Sequence, residues 1–276
     1  MSQYESQQKN KQSKFRAITL DRYSQLTMSL RESIRAGVSK RSDFPLVMSK
    51  SALLIIDVQR YCCEFRPNVP KFYVEEALPQ MLRNIEDLLD VFRRERDGSD
   101  PTAIHVNEVQ RHEQSSNFPE VIFVIIQSMT NDGRDMSLDY KLSGSYFKDI
   151  PNVSSTDEEI FFPKPLAPDR IRGRGDIVVR KTACSAFATT NLDMLLRNLF
   201  VEQLVVCGQL TDQCVESAVR DAADLGYLVT VAEDACAAHS IEEHEKGLFG
   251  MKGFCRILST QEILKEINPE VSAIQT

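Results

Sequence analysis

The sequence predicts a three-layer α/β/α domain in which helices cover both faces of a doubly wound, mainly parallel sheet. Short apolar runs rich in Val, Ile and Leu alternate along the chain with segments of ten or more residues that have helical periodicity. The apolar runs are continuous, as expected of strands buried on both faces of a parallel sheet. A chain of 276 residues, 42% of them hydrophobic, is long enough for one such domain.

The predicted elements follow one another in simple alternation. The first strand, residues 52–56, is a run of apolar residues that ends at an aspartate. A helix is predicted over residues 74–94, where apolar side chains recur at helical spacing from Ala77 to Phe92. Further strands are predicted at residues 119–127, 176–179, 203–207 and 228–232, and further helices at residues 191–198, 214–225 and 241–253.

Residues 1–50 are predicted to form an N-terminal extension of a single domain at residues 51–276. The first 16 residues are rich in Gln, Lys and Ser and have almost no apolar anchors, which predicts disorder. Residues 21–36 have apolar side chains at helical spacing, which predicts a short amphipathic helix. Residues 1–43 hold nine Lys/Arg and four Asp/Glu, so a basic arm precedes an acidic body.

A polar segment interrupts the alternation at residues 96–118. It contains the turn-forming run Asp-Gly-Ser-Asp-Pro and lies where a short connection between a helix and a strand is expected. We therefore predict an inserted loop between the first helix and the second strand of the domain.

Charge and composition exclude several classes of protein. A net charge of −7 argues against a general nucleic-acid binder, because such proteins carry basic patches. The longest apolar runs are far shorter than the roughly 20 residues that cross a bilayer. The seven cysteines are odd in number and scattered, and no signal-peptide core lies near the start. We expect reduced thiols, a cytoplasmic location, and no membrane or nucleic-acid partner.

Candidate chemistry lies at the carboxyl ends of the predicted strands, where ligands bind to sheets of this kind. Asp57 ends the run LLIID and can accept a proton or merely cap a turn. Lys181 follows DIVVR and can act on a neighbouring pKa or lie at the surface. Cys214 begins a predicted helix, whose dipole and N–H groups stabilise a thiolate; the alternative is an inert, packed cysteine. Since each follows a different strand of one sheet, we expect the three to meet.

Four motifs run through residues 51–255 and carry a family resemblance. They read ALLIIDVQ (52–59), DGRDMSLDYKLSG (132–144), VVRKTACSAF (178–187) and VVCGQLTDQCVESAVRDAADLGY (205–227). The last is the most specific, because Gly-x-x-Thr-Asp-x-Cys-Val followed by Arg-Asp-Ala is long and ordered. The sequence thereby resembles the isochorismatase-like cysteine hydrolases, which include nicotinamidases, N-carbamoylsarcosine amidases and ureidoacrylate amidohydrolases.

The resemblance implies roles for particular residues. Cys214 would be the nucleophile, Asp57 the general base and later the general acid, and Lys181 the group that lowers the thiol pKa. The peptide bond between Gln209 and Leu210 would be cis, with the amides of Leu210 and Cys214 forming the oxyanion hole.

The resemblance also implies a substrate class and an assembly. Gln59, Tyr61 and Phe187 are expected to line the pocket of a small-molecule substrate. The implied reaction is hydrolysis of an amide or ureido C–N bond through a thioester. We expect a homodimer or homotetramer, with the helix at residues 21–36 as a candidate interface element.

The sequence departs from nicotinamidases at their metal site, an Asp and two His that lie close together after the second strand. Here that region reads SMTNDGRD and has no histidine. His105 and His112 precede the strand and are interpreted as surface loop residues, and His239 as a loop histidine satisfied by its surroundings. We therefore expect no metal and no cofactor.

Two other functions stay open at this point. Isochorismatase activity, the hydrolysis of a vinyl ether, needs an acid but no thiol, so an intact Cys214 favours C–N hydrolysis. A binding protein that only retains the fold would not need all three side chains. A dinucleotide enzyme is disfavoured because Gly173 and Gly175 precede a strand, and a serine hydrolase because no Gly-x-Ser-x-Gly elbow occurs.

Overall fold

A computed structural model describes residues 40–41, 44–59, 63, 69–97, 118–130, 132–142 and 175–268 of the chain. The chain divides into two compact units, residues 1–47 and residues 48–276. Almost all of the first unit, including the tail at residues 1–16 and the helix predicted at residues 21–36, lies outside the described residues. So does most of the insertion predicted at residues 96–118.

Within the described residues, six strands form one sheet in which every neighbouring pair is parallel. The strands lie in the order β3-β2-β1-β4-β5-β6. Their bounds are β1 Ser51–Ile56, β2 Glu120–Ile126, β3 Ile177–Lys181, β4 Gln203–Gln209, β5 Leu228–Ala237 and β6 Arg256–Leu258.

Helices pack on this sheet in two groups. α1 and α6 contact each other and the sheet, and α4 and α5 do the same. Together they give the three-layer α/β/α fold that the alternating pattern predicts, which is confirmed. Among the described residues the helices are α1 Leu78–Asp97, α2 Leu138–Leu142, α3 Leu192–Asn198, α4 Glu216–Asp224, α5 Ile241–Met251 and α6 Thr260–Ile267. None of them is both long and apolar enough to cross a membrane.

Several element bounds differ from the sequence prediction. π-helical turns, Tyr73–Ala77 and Thr211–Val215, precede α1 and α4, so both α-helices begin later than the periodicity indicates. The sequence reasoning missed α2, β6 and α6. β6 has only three half-buried residues and gives no pattern, whereas α6 has a capping box between Ser259 and Glu262 that is visible in the sequence.

The core lies around the two central strands. β1 and β4 are buried at every position, which explains the continuous apolar runs at residues 52–56 and 204–207. α1 covers them with the fully buried side chains of Ile85, Leu88 and Phe92, spaced at three to four residues.

The strand order reverses at β1, which lies between β2 and β4. In open α/β sheets such a reversal leaves a crevice beyond the carboxyl ends of the central strands. The register places Ile56 at the end of β1 opposite Gly208 of β4, and Ile126 at the end of β2 opposite Lys181 of β3. Residues that follow these positions therefore emerge on the same edge of the sheet.

β1 and β4 approach each other closely at Gly208, which has a φ of +115°. A Cβ atom at this position would lie 2.7 Å from the backbone N of Ile56 and closer still to its carbonyl oxygen. Because backbone atoms of a central strand have no room to move aside, only glycine fits here.

We predict that Gly208→Ala lowers the free energy of unfolding by about 3 kcal/mol. The new methyl group overlaps the backbone of β1, and an alanine has to adopt the unfavourable positive φ of this position. Gly226→Ala is the matched control: its φ is +96°, but a Cβ there meets nothing within 4 Å. The control should lose only about 1 kcal/mol. Urea denaturation measures both, and equal losses would contradict the steric explanation.

Candidate active site

Three side chains from the ends of three strands meet in one cluster. Asp57 follows β1, Lys181 ends β3 and Cys214 lies in the turn after β4. The Nζ atom of Lys181 lies 2.8 Å from Oδ2 of Asp57 and 3.2 Å from Sγ of Cys214. The lysine thus bridges the carboxylate and the thiol, and the expectation that the three residues meet is confirmed. Their catalytic roles stay predictions.

Lys181 is fully buried, so the alternative of a surface lysine is wrong. Its Nζ also donates to the carbonyl oxygens of Ala183, at 3.0 Å, and Cys184, at 2.8 Å. Burial alone would lower the pKa of Lys181, but the charges and hydrogen bonds of Asp57 and Cys214 outweigh it and raise that pKa above its ordinary value. The ammonium group is therefore a fixed positive charge beside the sulfur.

Asp57 is held by its main chain rather than by its side chain alone. It has a φ of +53°, and its N–H donates to Val124 at 2.9 Å. Its carbonyl accepts from the side-chain amide of Gln209 at 2.8 Å. The carboxylate uses Oδ2 for Lys181, while the buried Oδ1 has no hydrogen-bond partner among the described residues. The carboxylate therefore keeps one oxygen that Lys181 does not engage.

Gln209 is a positioning residue that the sequence reasoning considered only for its peptide bond. Its side-chain oxygen accepts from the hydroxyl group of Tyr73, and its side-chain nitrogen also contacts Sγ of Cys63 at 3.2 Å. With its further bond to Asp57, this side chain joins the π-helical turn before α1 to the loop after β1. A buried Gln at the end of an apolar strand is the signal that could have indicated this.

The turn that carries Cys214 has the expected backbone. The peptide bond between Gln209 and Leu210 is cis, as predicted. The carbonyl of Leu210 accepts from the amides of Gln213 and Val215, at 3.1 and 3.2 Å, which closes the π-helical turn around the cysteine. The oxyanion hole formed by the amides of Leu210 and Cys214 stays a prediction.

A second thiol, missed by the sequence reasoning, lies beside the first. Sγ of Cys184 is 3.8 Å from Sγ of Cys214. Both cysteines are half-buried, whereas the other four that the structure describes are buried: Cys63, Cys207, Cys236 and Cys255. Cys184 belongs to the loop after β3, and its position depends on the path of that loop, which periodicity does not reveal.

The two thiols titrate as a pair. The hydrogen bond to Cys214 lowers the pKa of Cys184 to about 6, assisted by Ser217 and Lys181 against the effect of burial. The same hydrogen bond, together with burial, raises the pKa of Cys214. The hydrogen bond between the two sulfurs thus shifts their pKa values in opposite directions.

The predicted pocket residues have different surroundings. Gln59 is buried, and its side-chain amide exchanges two hydrogen bonds with the main chain of Ile126, at 2.8 and 3.1 Å. Phe187 is half-buried, with its ring centroid 6.1 Å from that of Tyr227. Tyr61 lies outside the described residues. Gln59 joins β1 to β2, and the pocket-lining role of all three predicted residues stays a prediction.

Among the described residues, no group of three His, Cys, Asp or Glu side chains is arranged to hold a metal ion. The loop after β2 is organised instead around Asp135, which accepts hydrogen bonds from Ser128, Thr130 and the amide of Met129. His239 packs its ring edge-on against Tyr73, with centroids 5.4 Å apart. His105 and His112 lie outside the described residues.

Comparison with known proteins identifies the family. Residues 51–262 match the model of the isochorismatase domain. The chain belongs to the isochorismatase family. The resemblance found in the sequence motifs is therefore confirmed, and the protein is a hydrolase of that family.

Individual relatives agree with this assignment. The chain is 37% identical over 132 residues to the uncharacterized isochorismatase family protein YecD of Escherichia coli O157:H7, covering 48% of this chain and 69% of YecD. It is 34% identical over 96 residues to the ureidoacrylate amidohydrolase RutB of Agrobacterium fabrum, but covers only 42% of RutB and 31% of this chain. A cysteine hydrolase structure from Pseudomonas syringae pv. phaseolicola superposes with a TM-score of 0.60 at 22% identity, over 82% of this chain and 96% of that one.

We predict that Lys181→Met lowers the free energy of unfolding by about 3–5 kcal/mol, because Asp57 is left buried without its counter-charge. Since the pKa of Lys181 is raised by folding, its stabilisation is present below about pH 10 and is lost as the pH rises further. Urea denaturation between pH 6 and 11 measures both effects. The double variant Asp57→Asn/Lys181→Met should recover part of the loss, and no recovery would contradict the pairing.

Alkylation tests the charge on the thiol pair. Because the pKa of Cys184 is lowered to about 6, the pair should react with iodoacetamide above about pH 6 and slow down as the pH falls through that value. Peptide mass spectrometry locates the label. Cys207, which is buried with a raised pKa and shares a tryptic peptide with Cys214, is an internal control that should stay unlabelled. Equal, slow labelling of all thiols would contradict the prediction.

Proposed function

We propose that this protein is a cysteine hydrolase that cleaves an amide or ureido C–N bond of a small molecule through a thioester. The observation that carries the proposal is the buried Lys181 ammonium group between Asp57 and Cys214, 2.8 Å from the carboxylate and 3.2 Å from the sulfur. A thiol beside a fixed positive charge and a carboxylate has the three groups that nucleophilic catalysis at a carbonyl requires.

In the first step the sulfur of Cys214 attacks the substrate carbonyl, and the thiol proton passes to Asp57. The S–C bond forms, and the oxyanion that develops is stabilised by the amides of Leu210 and Cys214. The C–N bond then breaks, the leaving nitrogen takes the proton from Asp57, and ammonia or an amine departs. The enzyme is left as a thioester.

In the second step water hydrolyses the thioester. Asp57 takes a proton from the water, and the hydroxyl oxygen bonds to the acyl carbon. The C–S bond breaks to release a carboxylic or carbamic acid, and Asp57 returns the proton to the sulfur of Cys214. Oδ1 of Asp57 has no hydrogen-bond partner within the part of the chain that the structure describes, which supports this role, because an oxygen already engaged with Lys181 would be a poorer acceptor. Lys181 keeps its proton throughout and holds both the carboxylate and the sulfur.

The relatives support the substrate class. RutB is named as a ureidoacrylate amidohydrolase, and the region that it shares with this protein covers less than a third of this chain. A ureido or related amide is therefore the first substrate class to test. We also propose that the enzyme acts as a homodimer or homotetramer.

We predict that wild-type protein releases ammonia from one member of a panel of ureidoacrylate-type compounds, carbamoyl amides and nicotinamide. Cys214→Ala should reduce this activity about a thousandfold or more, because the acyl acceptor is lost. Cys207→Ala is the matched control, since that buried cysteine lies on β4 and points into the core. It should keep wild-type activity, and a thioester trapped on Cys214 by acid quenching would be seen by mass spectrometry.

Isochorismate is included in the panel because vinyl ether hydrolysis needs no thiol. Isochorismate turnover that survives in Cys214→Ala, without ammonia release from any other compound, would overturn the C–N hydrolase proposal. Absence of turnover together with an unreactive Cys214 would favour a binding protein.

A further inference from the structure

The thiol pair is more than the proposed hydrolysis requires. One sulfur suffices for a thioester, and yet Sγ of Cys184 lies 3.8 Å from Sγ of Cys214. Both cysteines are half-buried, unlike the four buried ones that the structure also describes. Lys181 places its ammonium group 3.2 Å from one of these sulfurs. The two cysteines are thus only partly buried, and their sulfurs have a positive charge beside them.

These surroundings distinguish between two uses of a thiol pair. A soft metal ion bound by both sulfurs would be repelled by the Lys181 ammonium group, which is fixed by Asp57 and two carbonyl oxygens. An oxidation has no such conflict, because the ammonium group stabilises the thiolate that attacks an oxidant. The charge next to the pair therefore favours oxidation over metal binding.

We propose that Cys184 and Cys214 are a site of oxidation by hydroperoxides. The two thiols form a reversible disulfide, in which the sulfur of Cys214 can no longer act as the nucleophile. The loss of hydrolysis on oxidation rests on the proposed function of Cys214. The formation of the disulfide does not, so the two ideas can fail separately.

The chemistry balances with hydrogen peroxide as the oxidant. A thiolate of the pair attacks one peroxide oxygen; the S–O bond forms, the O–O bond breaks, and the departing hydroxide takes a proton to become water. The second thiol then attacks the sulfenic sulfur; the S–S bond forms, the S–O bond breaks, and the second water leaves. Two thiols lose two electrons, which the peroxide takes up. A dithiol such as dithiothreitol restores both thiols by exchange.

The local structure keeps the two sulfurs facing each other. Cys184 belongs to the loop after β3, and Ser185 in that loop donates to Asp221 of α4 at 2.5 Å. Ser217 of α4 also hydrogen-bonds to the Cys184 side chain. Cys214 lies in the turn that leads directly into the same helix. The sulfurs have to close from 3.8 Å to the roughly 2.0 Å of a disulfide, and both are anchored to one rigid element.

The test uses full-length protein that has been reduced, desalted and treated with hydrogen peroxide. We expect the intact mass to fall by about 2 Da, as the two thiol hydrogens are lost, and dithiothreitol to restore it. Trypsin should give a cross-link between the peptides 182–197 and 198–220, and fragmentation should locate it at Cys214 rather than at Cys207. Where a substrate is in hand, hydrolysis should fall and recover in step with the cross-link.

Two variants sharpen the test, each compared with its own untreated sample. Cys184→Ser removes the second thiol, so peroxide should add about 32 Da at Cys214 as a sulfinic acid that dithiothreitol does not reverse. Cys207→Ala should still form the cross-link. A wild-type protein that gains oxygen at Cys214 without the 2 Da loss, or whose cross-link joins Cys207, would overturn the proposal. A reversible cross-link that leaves hydrolysis unchanged would support the disulfide and overturn Cys214 as the nucleophile.

Discussion

The ammonium group of Lys181 is a full charge in a place that water does not reach, and the rest of the site is arranged around that fact. An unpaired buried charge would cost several kcal/mol, so it persists only where opposite charge and hydrogen-bond acceptors surround it. Asp57 supplies the charge, and Cys214 and two carbonyl oxygens supply the other contacts. Because these groups follow three different strands, the ion pair forms only when the sheet has assembled correctly. The same lysine that pairs with Asp57 in the folded chain therefore also places a positive charge beside the sulfur of Cys214.

Main-chain contacts determine where the carboxylate of Asp57 and the sulfur of Cys214 lie. The Asp57 amide and carbonyl are both engaged, with Val124 and Gln209, so the carboxylate has little freedom. Gln59 fixes the next part of the loop to β2, because its side-chain amide hydrogen-bonds to the main chain of Ile126. The π-helical turn does this for Cys214 by gathering two amides on the carbonyl of Leu210. Side chains that main-chain contacts hold at the ends of strands keep a well-defined geometry.

Local patterns in the sequence were enough for the layers, the parallel strands and the positions of Asp57, Lys181 and Cys214 at strand ends, because burial on both faces leaves a continuous apolar run. They were not enough for Cys184, since its position depends on how the loop after β3 folds back over the sheet. The contacts of the Gln209 side chain were also missed, although a Gln at the end of the apolar strand β4 is a readable signal. Local patterns also missed β6, whose three half-buried residues carry no period. A cap such as that of Ser259 and Glu262 shows that α6 had a readable signal which apolar spacing alone does not capture.

The register of β3 determines whether the three side chains of the site come together during folding. Lys181 is the last residue of β3 and is paired with Ile126 of β2. Neighbouring positions of a strand face opposite sides of the sheet, so a slip of one residue would turn the lysine away from Asp57 and Cys214 altogether. The alignment of β3 on β2 therefore decides whether the carboxylate of Asp57 and the thiol of Cys214 share a common partner.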